Sequence, residues 1–185
     1  MKFNNLLLTV LASATLAACG GGGDSGTAPV VQTANSFDAE AGTYSSGCMA
    51  NPSGSSHLIT LVVTPVAAAD KATVSVHAQS YNTAGCTTSV KTDLTILGEI
   101  TRLSQTKVIT GTGVGSTKSG TAKTVEFKYS GLQLAMGNLA FTVPTLGATA
   151  KVGFLIEADK FYALTRSRTA DGLPDSFSST VLTKQ

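Results

Sequence analysis

The sequence predicts an all-β protein: a single antiparallel up-and-down β-barrel, with a β-sandwich as the alternative. Three observations carry this expectation. In Lys71 to Gln79 apolar and polar residues alternate, with Ala72, Val74, Val76 and Ala78 on one face and Lys71, Thr73, Ser75, His77 and Gln79 on the other. No segment after Cys19 sustains a period of 3.6 residues. Turn residues also interrupt the chain at short intervals, and short connections favour antiparallel neighbours because parallel strands need long crossovers. A closed sheet has no exposed edge, which favours the barrel over the sandwich.

The chain begins with Lys2, an apolar run from Leu6 to Leu16, and then small residues. This is the layout of a secretory signal, with an apolar core too short to span a bilayer comfortably. An ordinary N-terminal helix would need a polar face, and the run shows none. Leu16-Ala17-Ala18-Cys19 resembles the signal end of bacterial lipoproteins at each of its four positions. That resemblance implies a signal peptide over residues 1–18, cleavage before Cys19, and lipidation (palmitate among the acyl chains) of its thiol and new amino group. Several acyl chains would make a stable membrane anchor, since each buried methylene contributes roughly 0.8 kcal/mol. Gly20 stands where such lipoproteins carry an aspartate for inner-membrane retention, so the resemblance implies the outer membrane of a bacterial cell envelope. Residues 19–36 then read as the lipidated cysteine and a flexible tether rich in Gly, Ser, Thr and Ala, spanning about 20–25 Å as a coil.

Residues 37–185 remain, enough for one all-β domain with a sizeable core. The chain is 42% hydrophobic, 13% charged and carries a formal charge of +2, with no Trp. That balance excludes the basic stripe of a nucleic-acid binder and the low hydrophobicity of a disordered chain. With Cys19 assigned to lipid, Cys48 and Cys86 remain as an even pair in an exported, oxidising compartment, and a disulfide is expected. The alternatives are a two-thiolate metal site or a reactive thiol. No CxxC is present and no histidine is close in sequence to either cysteine.

In chain order the strands are expected as follows. Gly42 to Cys48 is the first, and Asn51-Pro52-Ser53-Gly54 turns the chain. Ser56 to Thr64 is β-branched and apolar, and Lys71 to Gln79 alternates. Leu94, Ile96 and Ile100 continue the pattern, with Gly98 as a bulge or point of close approach. Thr106 to Thr110 reads as a separate strand, followed by a glycine-rich connection from Gly111 to Gly120. Val125, Phe127 and Tyr129 share a face, and Gly137-Asn138 suits a hairpin into Leu139, Phe141 and Val143. Val152, Phe154 and Ile156 lead through Ala158-Asp159 to Phe161–Leu164. A turn at Asp171-Gly172-Leu173-Pro174 precedes a short last strand at Thr180 to Thr183.

Gly42-Thr43-Tyr44 resembles the opening of lipocalin-like barrels, where a glycine is followed two residues on by an aromatic ring. The resemblance implies that Gly42 allows tight entry and that the Tyr44 ring plugs one barrel end. Tyr stands here for the family's Trp, and the family's other motifs and C-terminal helix have no counterpart. Gly42-Thr43-Tyr44 with Cys48, Tyr81 with Cys86, and Asp171-Gly172-Leu173-Pro174 are also similar to small proteobacterial lipoproteins of unassigned function. That likeness implies the same disulfide and a single domain.

Catalytic patterns are weak. Gly111-Thr112-Gly113-Val114-Gly115 fails as a phosphate loop, because Thr117 rather than glycine precedes Lys118-Ser119 and no helix pattern follows. His57 and His77 are the only histidines, so a hydrolase would have to use one of them, and no G-x-S-x-G elbow exists. His77 falls on a polar face and reads as a solvated residue. Asp159, Asp171 and Asp175 lack cation-loop spacing, and Arg166 and Arg168 read as a solvated face. The expectation is therefore a non-enzymatic lipoprotein without a cofactor, attached to the membrane through Cys19. Its barrel would bind a small apolar ligand or an envelope protein. A structural or assembly subunit of the envelope is the second reading.

Overall fold

The structure is a computed structural model. It describes residues 34–185 except 69, 88, 113–116, 139–141 and 169–171. The expected signal segment, Cys19 and most of the tether lie outside the described residues, as do Gly113 to Gly115, Leu139, Phe141 and Asp171. So do the side chains of Lys118, Arg166, Arg168 and Asp175.

The described chain holds nine strands: β1 (Gly42–Ser45), β2 (Met49–Ala50), β3 (Ser56–Pro65), β4 (Lys71–Tyr81), β5 (Val90–Thr112), β6 (Thr117–Met136), β7 (Thr149–Glu157), β8 (Lys160–Arg168) and β9 (Pro174–Lys184). Each of β3 to β9 pairs antiparallel with its neighbour in sequence. β1 then joins both ends, with Tyr44 opposite Leu61 on β3 and Lys184 on β9. The result is a closed eight-stranded up-and-down barrel, with β2 as an extra piece beside β3. The lipocalin-like architecture is the one expected, and closure removes the sandwich alternative.

Alternation places the core. On β4, Ala72 and Val74 are buried inward while Thr73 is exposed. The same rule puts Leu61 and Val63 of β3, Ile100 of β5 and Val125 of β6 into one interior cluster with Phe154, Phe161 and Leu182. Gly98 is the point of close approach that the sequence suggested. The register shifts there, and a Cβ at 98 would overlap the Phe127 ring on the facing strand. Gly42 enters β1 at φ +139°, and a Cβ there would press on the Lys184 side chain at 2.7 Å.

Several strand boundaries differ from expectation. β1 stops at Ser45 instead of running to Cys48. Gly47 turns with φ +65°, and the Ser46 hydroxyl, in place of a backbone carbonyl, accepts the Ile59 N–H at 3.0 Å. The two segments expected around Ile100 and Thr106–Thr110 are one strand, kinked by a register shift between Arg102 and Thr106. The stretch from Gly111 to Gly120 is only partly a connection, because pairing runs out to Thr112 opposite Thr117. Val143 lies in the loop after β6 rather than on a strand, next to Pro144, which has no N–H for a ladder. The final strand begins at Pro174, six residues before the expected start.

The kink has a structural use. β6 pairs with β7 only from Lys123 to Lys128. Beyond Lys123 the β5–β6 hairpin leaves the wall as an arm, and Thr124 donates its hydroxyl hydrogen to the Gln105 carbonyl at the bend. Ile109 and Ala122 of the arm pack on Tyr162, Leu164 and Phe177. Tyr162 follows the inward-facing Phe161, so the arm covers the outer face of β8 and β9. Phe161, Tyr162 and Leu164 of this apolar run are thus buried.

Candidate functional site

The site is a cavity of about 320 Å³ inside the barrel. Each strand of the wall from β3 to β8 contributes apolar side chains, among them Leu61, Val74, Ile100, Val125, Phe154 and Phe161. Among the described residues, the polar ones that reach it are Glu40, Ser178 and Thr180. A volume in this range is that of a small-ligand pocket.

One end of the cavity has a built floor, made by the turn that leads into β1. Asn35 fixes this turn, because its side-chain amide lies 2.6–2.9 Å from the carbonyls of Val66 and Ala68 in the β3–β4 connection and of Lys71 at the start of β4. Asn35 and Ser36, assigned to the tether by composition, are therefore bonded to the barrel. The Asn35 side-chain oxygen accepts the Phe37 N–H at 2.8 Å, and Phe37 is fully buried beneath the strands. Tyr44 donates its hydroxyl to the Glu40 carbonyl at 2.9 Å, and its ring leans on Phe161 with centroids 5.5 Å apart. Tyr44 and Phe37 are both fully buried at this end. Burial first, then the nearby Glu40 carboxylate, pushes the Tyr44 phenol above its ordinary value of 10.0.

Charge is concentrated on that floor. The Glu40 side chain is 2% exposed and meets two cations. Its Oε1 pairs with Lys123 Nζ, and its Oε2 lies 3.1 Å from Arg102 Nη2. Arg102 also donates to the Ser36 carbonyl at 2.8 Å and stacks over Phe37 at 4.0 Å, with Phe154 at 5.6 Å. Glu40 Oε2 and Arg102 Nη1 are buried without a hydrogen-bond partner. The 3.1 Å ion pair supplies attraction to Oε2, but not hydrogen-bond geometry. Sequence reasoning missed this cluster. Alternation along Ile96, Gly98, Ile100 and Arg102 was the available signal, since it aims a cation inward.

Around the opposite end of the barrel, the end of β6 and the loop after it expose Leu134, Met136, Val143 and Leu146. Among the described residues singled out for chemistry, Cys48, Cys86, His57, His77 and Asp159 do not line the cavity. Cys48 and Cys86 form the expected disulfide, with Cα atoms 5.8 Å apart, tying the β1–β2 break to the β4–β5 loop. His77 lies on the outer wall as expected, its side chain 39% exposed and its Nε2 2.8 Å from Asp93 Oδ1. Gln79 donates to Asp93 Oδ2 at 2.8 Å, and Tyr81 donates to Gln79 at 2.9 Å. The hydrogen bonds from Gln79 and His77 hold the Asp93 carboxyl below its ordinary value of 3.8. His57 sits on β3 opposite Ser80 and Met49. Among the described residues no serine hydroxyl is hydrogen-bonded to either histidine, and no group of three His, Cys, Asp or Glu could hold a metal ion. Asp159 lies in the β7–β8 turn, where its carbonyl accepts the Lys184 N–H at 2.7 Å.

Fold and site together define an eight-stranded up-and-down barrel with an apolar interior and one charged floor. Comparisons with family models, curated proteins and solved structures give no match.

Proposed function

We propose that this protein is a lipid-anchored envelope protein whose barrel binds a small apolar molecule and performs no chemistry on it. The observation that carries this reading is the cavity of about 320 Å³ enclosed by apolar side chains. An interior filled by its own side chains would have left only a protein-binding surface. Along β4 the wall is apolar inside and polar outside, the reverse of strands that face lipid. This favours a barrel held beside a membrane by Cys19 over one inserted in it. Removal of a bound apolar molecule from water contributes about 25 cal/mol per Å² of its surface, so the wall alone supplies affinity.

The test is displacement of an environment-sensitive apolar dye from the purified protein. Ala163 lines the cavity, and Ala163→Phe fills it. The wild type takes up the dye, and the variant loses it while keeping the same far-UV circular dichroism. Equal dye binding by both would defeat the reading. The anchor has its own check. Cys19→Ala releases a folded domain into the soluble fraction, and persistent sedimentation with salt-washed membranes would contradict it.

A further inference from the structure

We propose that the end of the barrel away from the floor docks on a lipid bilayer, the same bilayer that holds Cys19. The inference goes beyond ligand binding and rests on the lipid-anchor reading. In an up-and-down barrel, alternate connections share an end. Those between β1 and β3, β4 and β5, β6 and β7, and β8 and β9 lie opposite the floor, which Asn35 ties to the β3–β4 connection. At this far end the close of β6 and the loop after it expose Leu134, Met136, Val143 and Leu146, the last by 71%. Large apolar groups left in water at one place mark an interaction surface. Val108, also exposed, is on the arm.

Charge selects the partner. From Tyr129 to Ala150 the chain has no Asp, Glu, Lys or Arg, and neither residues 46–55 nor residues 82–89 contain one. The fourth connection, 169–173, holds Asp171, outside the described residues. Lys91, Asp93, Arg166 and Arg168 stand on strands near this end, not in its connections. The floor end instead carries Glu40, Asp70, Arg102, Lys123 and Asp159. A charged side chain is costly to bring into a bilayer, so the end whose connections are Ser, Thr, Asn, Gly and apolar residues is the one that enters the interface. A protein partner would be set in register by charge pairs, and these three connections supply none.

The chain outside the described residues reaches far enough. Fifteen residues separate Cys19 from Asn35, and extended they span up to about 50 Å. β4 runs the wall from floor to far end in 11 residues, about 35 Å along the strand. The anchor and the far end can therefore meet one bilayer.

The test is depth-dependent quenching in the mature lipoprotein, reconstituted at low density in phosphatidylcholine vesicles. One added cysteine, Leu146→Cys or Asp159→Cys, carries an environment-sensitive dye. Cys48 and Cys86 are bonded to each other and leave the added thiol to take the label. Asp159 is exposed in the β7–β8 turn, at the floor end. The label at 146 is expected to shift to the blue and to be quenched severalfold more by lipids brominated in their acyl chains than the label at 159, at low and at high salt. Equal quenching of the two labels in vesicle-bound protein would overturn the inference and leave the anchor standing. Shielding at 146 that the lipid quencher does not reach, or that grows with protein density, would also overturn it, giving the patch to a second copy. Protein that fails to float with the vesicles would remove the anchor reading and this inference together.

Discussion

Arg102 Nη2 stands 3.1 Å from Glu40 Oε2, joining a strand of the wall to the turn that floors the barrel. Removing one partner of a buried ion pair leaves the other charge uncompensated. Arg102→Ala should therefore lower unfolding stability by about 3 kcal/mol, the low end because Lys123 still faces Glu40. Lys123 is 48% exposed, and Lys123→Ala should cost about 1 kcal/mol or less. Urea unfolding of both single variants and the double variant measures the order and the coupling. Equal losses would mean that Glu40 is held by charge from both sides alike.

Tyr44 makes the same floor sensitive to alkali. Its phenol titrates above its ordinary value of 10.0 in the folded state. A raised value means the unfolded chain loses its proton first, so stability is whole below about 10 and falls as pH rises through the folded value. Tyr44→Phe removes the hydrogen bond to Glu40 and should cost about 0.5–1.5 kcal/mol at neutral pH. Above pH of about 10 the variant should close the gap on the wild type, because it has no phenol to ionise. Denaturation midpoints across this range decide it, and a gap constant with pH would count against the role given to the ring.

On the outer wall the sign is opposite. Asp93 is held below its ordinary value of 3.8 by hydrogen bonds from Gln79 and His77. Its contribution is present above that value and is lost as pH falls through the folded one. Asp93→Asn should flatten the acid limb of the stability curve while leaving the cavity untouched, since neither residue of the pair lines it. Dye affinity measured beside stability separates the two effects.

The Cys48–Cys86 bond spans 38 residues of sequence. The chain-entropy treatment of such a loop gives about 4 kcal/mol, so replacing both cysteines by Ala should lower stability by up to that amount. Reduction should act in the same direction. Alkylation before and after reductant, read by mass, counts the free thiols. Two alkylated thiols without reductant would show the bond is absent from the mature protein.

Alternation made the wall legible, because one buried face and one wet face force period 2, as in Lys71 to Gln79. The closed sheet followed from short connections, and the disulfide from even pairing once Cys19 was set aside. Glu40 and Arg102 were not legible as a pair. They are far apart in sequence, and although alternation aims Arg102 inward, nothing in the pattern names Glu40 as its partner. The arm was missed because Thr106–Thr110 and the residues around Gly120 look like any strand and any glycine-rich loop. What folds them back is an apolar patch of Tyr162, Leu164 and Phe177 that forms only when β8 and β9 pair.

That arm yields a prediction separating stability from binding. Ile109 is 2% exposed and lies between the arm and the outer face of the wall, in the cluster with Tyr162 and Phe177. Ile109→Ala leaves a cavity where the surroundings can only partly collapse, and should cost about 2–4 kcal/mol. Ile109 itself does not line the barrel cavity, although Leu164 of the same cluster does, so dye affinity for the folded variant should stay close to the wild type. Protease cleavage should become faster within the arm before it does so in the wall, because local opening follows the least buried unit. A variant that loses stability and binding in step would mean the two cores are one cooperative structure, with the arm holding β8 and β9 in the curvature the cavity needs.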